Sequence, residues 1–155
     1  MTSFRINPAS LNGEPIAYSN GILVKSSEVT LYVSGQIGVD IKGICSTDFE
    51  SQTRQAWRNI EAILSEAEMT LKDIVKTTIF LVNSTDYPSF AKVRTEVLKG
   101  HKPASTLVYV SALVKPDWKV EIDVIAARYS RTRRTQEKKW TTSLTPKQVR
   151  IIVWT

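Results

Sequence analysis

The sequence predicts an α+β fold, a single sheet with two helices on one of its faces. Two stretches repeat apolar residues at helical spacing, 49–67 and 90–98. Short runs rich in β-branched residues surround them, bounded by Gly, Pro and polar clusters. Their order, β-β-β-α-β-α-β-β, is that of a layered α+β domain rather than of alternating parallel units.

Taken in order, residues 1–15 carry Pro8, Gly13 and Pro15 with little periodicity and predict an extended arm. Ile16 to Ser19 and Ile22 to Lys25 predict short strands around Asn20-Gly21, a favoured tight-turn pair. Val29 to Ser34 predicts a stronger strand ended by Gly35, and 38–45 a loop. Thr47-Asp48-Phe49-Glu50 fits a capping box opening the first helix. Phe49, Ala56, Trp57, Ile60, Ile63, Leu64 and Ala67 form its apolar face, with Trp57 in the core. Gln52, Arg54, Gln55, Arg58, Asn59 and Glu61 are expected mostly on the wet side.

Residues 71–73 predict a turn and 74–82 a buried strand. Asp86 is placed as the cap of a second helix, with Pro88 in its first turn and Gly100 ending it. Lys102 to Val110 and Lys119 to Ala127 predict the last two strands. On the second of these, Val120, Ile122 and Val124 point one way while Glu121 and Asp123 point the other. Two carboxylates on one strand face look either to water or to a polar pocket.

At 155 residues, 42% hydrophobic and 23% charged, the chain suits one globular domain, assigned to 1–128. No apolar run approaches the roughly 20 residues of a membrane helix, and the first residues lack a secretory h-region, so a cytoplasmic location is expected. One cysteine, Cys45, excludes an internal disulfide, and one histidine, His101, leaves no His/Cys cluster for a metal. Neither a metal nor a cofactor is expected. A Ser–His–Asp triad would have to use His101, whose place beside a helix-ending glycine suits a C-terminal dipole partner better.

The net charge of +6 is unevenly spread. Residues 128–155 hold eight Lys/Arg and one acid, leaving 13 basic against 14 acidic residues in 1–127. Residues 129–155 therefore read as a basic extension, expected to be partly disordered. Within it 149–154 is strand-prone and could add to a sheet edge. Nucleic acid enters as a partner only through this extension, as a salt-sensitive arm.

A resemblance spans residues 14 to 128. It runs through Tyr18-Ser19-Asn20-Gly21, Tyr32-Val33-Ser34-Gly35-Gln36-Ile37, Gln52-Thr53-Arg54-Gln55 and Val75-Lys76-Thr77-Thr78-Ile79-Phe80-Leu81. Pro103-Ala104 and Val120-Glu121-Ile122-Asp123-Val124-Ile125-Ala126-Ala127 complete it. In these motifs the chain resembles the YjgF/Rid family of small proteins, many of which hydrolyse reactive enamines and imines. The resemblance implies a YjgF/chorismate-mutase-like homotrimer whose sheets pack into a central barrel, with small-molecule pockets between subunits.

It also implies a site. Glu121 matches the glutamate that orients the water, Tyr18 the pocket tyrosine, and Ser34, Gly35 and Ile37 the wall. Ser105 stands where the family's carboxylate-binding arginine follows Pro-Ala, Leu107 where a cysteine is common, and Ala91 where an asparagine is frequent. A planar guanidinium grips a carboxylate with two charge-assisted hydrogen bonds, each contributing about 1.5–3 kcal/mol. Serine does not replace that, which leaves Arg94 or Arg58 to supply another cation. Two readings of the site stay open, an imine/enamine deaminase and a non-catalytic metabolite-binding trimer.

Overall fold

The computed structural model describes residues 3–128, except 12 and 26. Its strands are β1 (Ser3–Ile6), β2 (Gly21–Val24), β3 (Val29–Ile37), β4 (Ile74–Leu81), β5 (Ala104–Tyr109) and β6 (Val120–Arg128). Its helices are α1 (Phe49–Glu66) and α2 (Tyr87–Leu98). The basic extension and the strand expected in it lie outside the described residues.

The expected α+β architecture is present, but its sheet is divided. Four strands form a mixed sheet in the order β3-β6-β4-β5, while β1 and β2 make a separate antiparallel ribbon. The first strand is thus Ser3–Ile6, not 16–19, and there is no hairpin at Asn20-Gly21. The cause is competition from distant partners. The Ser19 N–H and hydroxyl donate to the Pro103 and Lys102 carbonyls at 3.1 and 2.7 Å, in a bridge beside the start of β5. The Asn20 amide N–H meets the Asn7 side chain at 2.8 Å.

β6 sits between β3 and β4, antiparallel to both. Its Val120, Ile122, Val124 and Ala126 are essentially inaccessible and join Ile79 and Leu81 of β4, Trp57, Ile60 and Leu64 of α1, and Phe90 and Val93 of α2 in one core. Glu121, Asp123 and Ile125 point to the opposite, uncovered face. Each fully buried aliphatic of this layer contributes about 1.5–3 kcal/mol before entropy is charged against it.

Local details differ from the sequence reading where a side chain found another partner. The cap of α1 is Asp48, not Thr47: its carboxylate accepts the Ser51 N–H at 2.7 Å. Gln52, expected on the wet side, is wholly buried, as is its neighbour Thr53. Asp86 makes no side-chain cap bond at α2. That helix ends at Leu98 through Lys99, which takes a left-handed conformation (φ +47°). His101 turns away from the helix end, its Nε2 donating to the Ile74 carbonyl of β4 at 2.7 Å. Gly35 does not end β3, which continues past it to Ile37 with a register shift between Val33 and Gln36.

Gly38 is needed for close approach. A Cβ there would stand 2.5 Å from Gln52 Cα and 2.7 Å from the Gln52 carbonyl oxygen, so the backbone of α1 would have to move. Gly38→Ala should lower stability by about 1–3 kcal/mol in urea unfolding, the range for overpacking a rigid contact.

Asp48 supplies a pH test. Hydrogen bonds from the Ser51 side chain and backbone hold its carboxyl below the ordinary value of 3.8. The cap's contribution is therefore complete above the unfolded value and is lost as pH falls through the lower native one. Asp48→Asn, which caps without titrating, should flatten that part of the acid limb when the melting temperature is followed from pH 6 to pH 2.

Candidate functional site

The site begins with the strand pair β3–β6. Ile37 pairs with Glu121 and Gln36 with Ile122, but Val33 pairs with Val124, so Ser34 and Gly35 form an irregularity in the ladder. Glu121 fills the space this leaves. A Cβ on Gly35 would lie 1.8 Å from Glu121 Oε1 and 2.6 Å from its Cδ. The carboxylate arm thus lies directly against the Gly35 backbone, and only a residue without a side chain accommodates it there. Among the described residues no hydrogen bond or ion pair engages the side chain of Glu121 or Asp123. Ser34, Gly35, Ile37 and Glu121 form one cluster, on the sheet face that the helices leave open.

Two polar residues of α1 hold the frame of this cluster, and the sequence reading missed both. Buried Gln52 donates from Nε2 to the carbonyls of Ser46 (2.7 Å) and Asp117 (2.8 Å), and its Oε1 accepts the Lys119 N–H at 2.9 Å. It therefore fixes the segment that enters β6 two residues before Glu121. Asn59 donates to the carbonyls of Ile37 (3.1 Å) and Val39 (3.0 Å), fixing the end of β3. The available signal was their spacing: Gln52, Gln55 and Asn59 share one flank of the helix, and Gln55 bonds Asn59 at 2.8 Å.

Ser105 and Leu107 lie elsewhere. They pair in register with Thr77 and Ile79 of β4, both buried beneath the helices, and the Thr77 hydroxyl donates to Ser105 Oγ at 2.9 Å. Leu107 packs against the core. Glu121 pairs instead with Phe80. Neighbours one position apart along a strand face opposite ways, so Ser105 and Leu107 open on the helix side and Glu121 on the other.

Tyr18 is exposed and precedes Ser19, which is bonded beside the start of β5, so Tyr18 belongs with the Ser105 edge. Ala91 and Arg94 are on α2. The Arg94 guanidinium stands 5.8 Å from the Phe90 ring centroid and lines a cleft of about 100 Å³ with Ile16, Ala17 and Lys102. Arg58 is occupied by Gln55 Oε1, at 3.1 and 2.8 Å. One chain therefore brings together Glu121, Gly35, Ser34 and Ile37 as one group, and Tyr18 with Ser105 as another.

A family model described as Endoribonuclease L-PSP matches residues 13–128. A 2-iminobutanoate/2-iminopropanoate deaminase of Salmonella typhimurium is 36% identical over 115 residues, covering 72% of this chain and 87% of that protein. A Rid-family protein of unknown function from Yersinia pestis superposes with a TM-score of 0.74 at 26% identity, covering 82% of this chain and 99% of the other. TdcF of E. coli, solved with bound serine, gives a TM-score of 0.62 at 31% identity over 72% of this chain and 87% of its own.

Gly35→Ala isolates the contact that defines the first cluster. Gly35 has no left-handed backbone to strain, and the obstructing atoms belong to one side chain. Stability should stay within about 1 kcal/mol of the parent in urea unfolding, the size of an ordinary substitution effect. The Glu121 carboxylate should swing out of place, visible as a displaced side chain in a crystal structure of the variant.

Proposed function

We propose, since the chain belongs to the Endoribonuclease L-PSP (YjgF/Rid) family, that it is an imine/enamine deaminase acting on a small 2-imino or 2-amino-acrylate acid. The carrying observation is the Glu121 carboxylate, packed on Gly35 with no partner of its own and framed by Gln52 and Asn59. The deaminase relative gives the substrate class its direction.

The reaction asks little of the protein. Water adds to the imine carbon, the carbon–nitrogen bond breaks, the nitrogen leaves as ammonia and a 2-keto acid remains. Glu121 accepts a hydrogen bond from the attacking water and orients it, a general-base role that a carboxylate in a confined cleft fills well. Tyr18, Ser34, Gly35, Ile37, Ala91 and Leu107 bound the substrate, and Arg94, which lines a cleft with Ile16 and Ala17 near Tyr18, is the cation to take its carboxylate. A ligand that meets both Glu121 and Ser105 must sit between two copies of the chain, because these residues look to opposite sides of one sheet. The family resemblance makes that assembly a homotrimer with its pockets between subunits, and we read this, in the cytoplasm, as the working form.

A second reading has its own support. Ser105 Oγ accepts from Thr77, so the position that would clamp a carboxylate holds a neutral group with a single proton to donate. A trimer that binds a metabolite without turning it over fits that observation.

Ammonia release from freshly generated 2-aminoacrylate separates the two. A deaminase should lose about 10²-fold or more in kcat on Glu121→Gln, the scale of a lost general base. Ser105→Arg should lower KM by restoring a charged anchor. Silence of the parent chain together with activity in Ser105→Arg would overturn the deaminase reading in favour of the binding one.

A further inference from the structure

We propose that the cleft between the β1–β2 ribbon and the C-terminal end of α2 binds a small organic phosphate, at a site separate from the Glu121 cluster. The cleft encloses about 750 Å³. That is the size of a pocket for a nucleotide-sized molecule and far more than a bare phosphate ion needs. Its walls divide by chemistry. Phe4 and Ile22 provide apolar surface for a ligand body, over the buried side chains of Ile74 and Leu98. Arg5, Lys72, Lys99 and Lys102 bring four positive charges to the same space.

One carboxylate, Glu14, lines it with them, so the lining carries a formal charge of +3 with His101 neutral. Glu14 is already committed: it is paired with Arg5 and, at 2.9 Å, with Lys102 Nζ. Lys72 and Lys99 have no ion-pair partner among the described residues. They come from different elements, Lys72 from the turn before β4 and Lys99 from the left-handed residue that ends α2. Their convergence therefore belongs to the tertiary fold and not to one helix face.

Like charges gathered around an apolar-floored space repel one another, and a bound dianion relieves this while its oxygens accept several charge-assisted hydrogen bonds. A phosphate monoester on a flat apolar body satisfies both walls. Ribonucleic acid fits less well: its backbone needs a track of cations, whereas here they converge on one cleft, and residues 1–127 carry 13 basic against 14 acidic side chains.

The test is titration of the full chain with adenosine 5′-monophosphate by calorimetry, with inorganic phosphate and a 12-nucleotide single-stranded RNA alongside. Saturable binding of one monophosphate per chain is expected, with inorganic phosphate at least tenfold weaker. Lys72→Ala with Lys99→Ala should weaken it by roughly 100-fold, about tenfold for each lost charged contact. Glu14→Gln, which removes the competing carboxylate, should tighten it several-fold, and Glu121→Gln should leave it unchanged. Three results would overturn the proposal: no saturation by millimolar ligand, affinity indifferent to the lysine pair (the anion then sits on the basic extension), or tighter binding of the RNA through the same lysines. Loss of binding in Glu121→Gln would assign the monophosphate to the other site and refute the cleft as well.

Discussion

The alternation along β6 is the constraint on which the rest of this fold depends. Val120, Ile122, Val124 and Ala126 are sealed under the helices, while Glu121 and Asp123 occupy the positions between them. A slip of one residue would exchange the two sets, exposing four aliphatics and burying two carboxylates without partners. Burial of unpaired charge costs several kcal/mol per group, more than any single contact in the layer could return. Since β6 is hydrogen-bonded on both sides, its register also sets those of β3 and β4. The same constraint fixes the position of Glu121, so the candidate site is placed by the core rather than by a loop.

Polar groups then refine what the core has positioned. Gln52 satisfies two carbonyls and one N–H from the segments that lead into α1 and β6, and Asn59 satisfies two carbonyls at the end of β3. Buried backbone groups left without partners cost about 1–3 kcal/mol each. One glutamine thus holds in place segments that would otherwise need water. Such a network is rigid only when every member is satisfied, which suits a carboxylate packed directly against the Gly35 backbone.

The parts of the fold written in local pattern were legible in the sequence. The apolar stripe of α1, the buried strand at 74–81 and the two faces of β6 follow from periodicity alone, because the side chains that define them act as a set. What the sequence hid were choices among partners far apart in the chain. Asn20-Gly21 has good turn chemistry, yet Ser19 is taken by Lys102 and Pro103 and β2 by β1, so the hairpin never forms. Gln52 reads as a surface residue until Asp117 and Lys119 are brought beside it. At α1, Thr47 and Asp48 are both competent caps, and only the backbone geometry chooses between them. In the candidate site, Glu121 and Gly35 were named from resemblance, but their contact depends on the bulge in β3, which no local signal announces.

The sheet's uncovered face mixes exposed apolar side chains with carboxylates. Tyr32 is 75% exposed there, and Ile125, Phe80 and Val108 surround Glu121 and Asp123. A central strand and its neighbours rarely leave aromatic and branched side chains to solvent around two unpaired carboxylates, because the apolar atoms gain from being covered while the charges lose. A second copy of the chain resolves the conflict if it covers the apolar rows and leaves a crevice at the carboxylates. The group at Tyr18 and Ser105 lies at the far edge of the sheet, on the strand opposite β3. In the proposed oligomer, a partner that offers this edge to the Glu121 carboxylate would supply what one chain lacks. In that arrangement the unpaired carboxylate, the bulge that seats it and the exposed tyrosine edge answer one requirement: a small, water-containing pocket built from two halves of the same sequence.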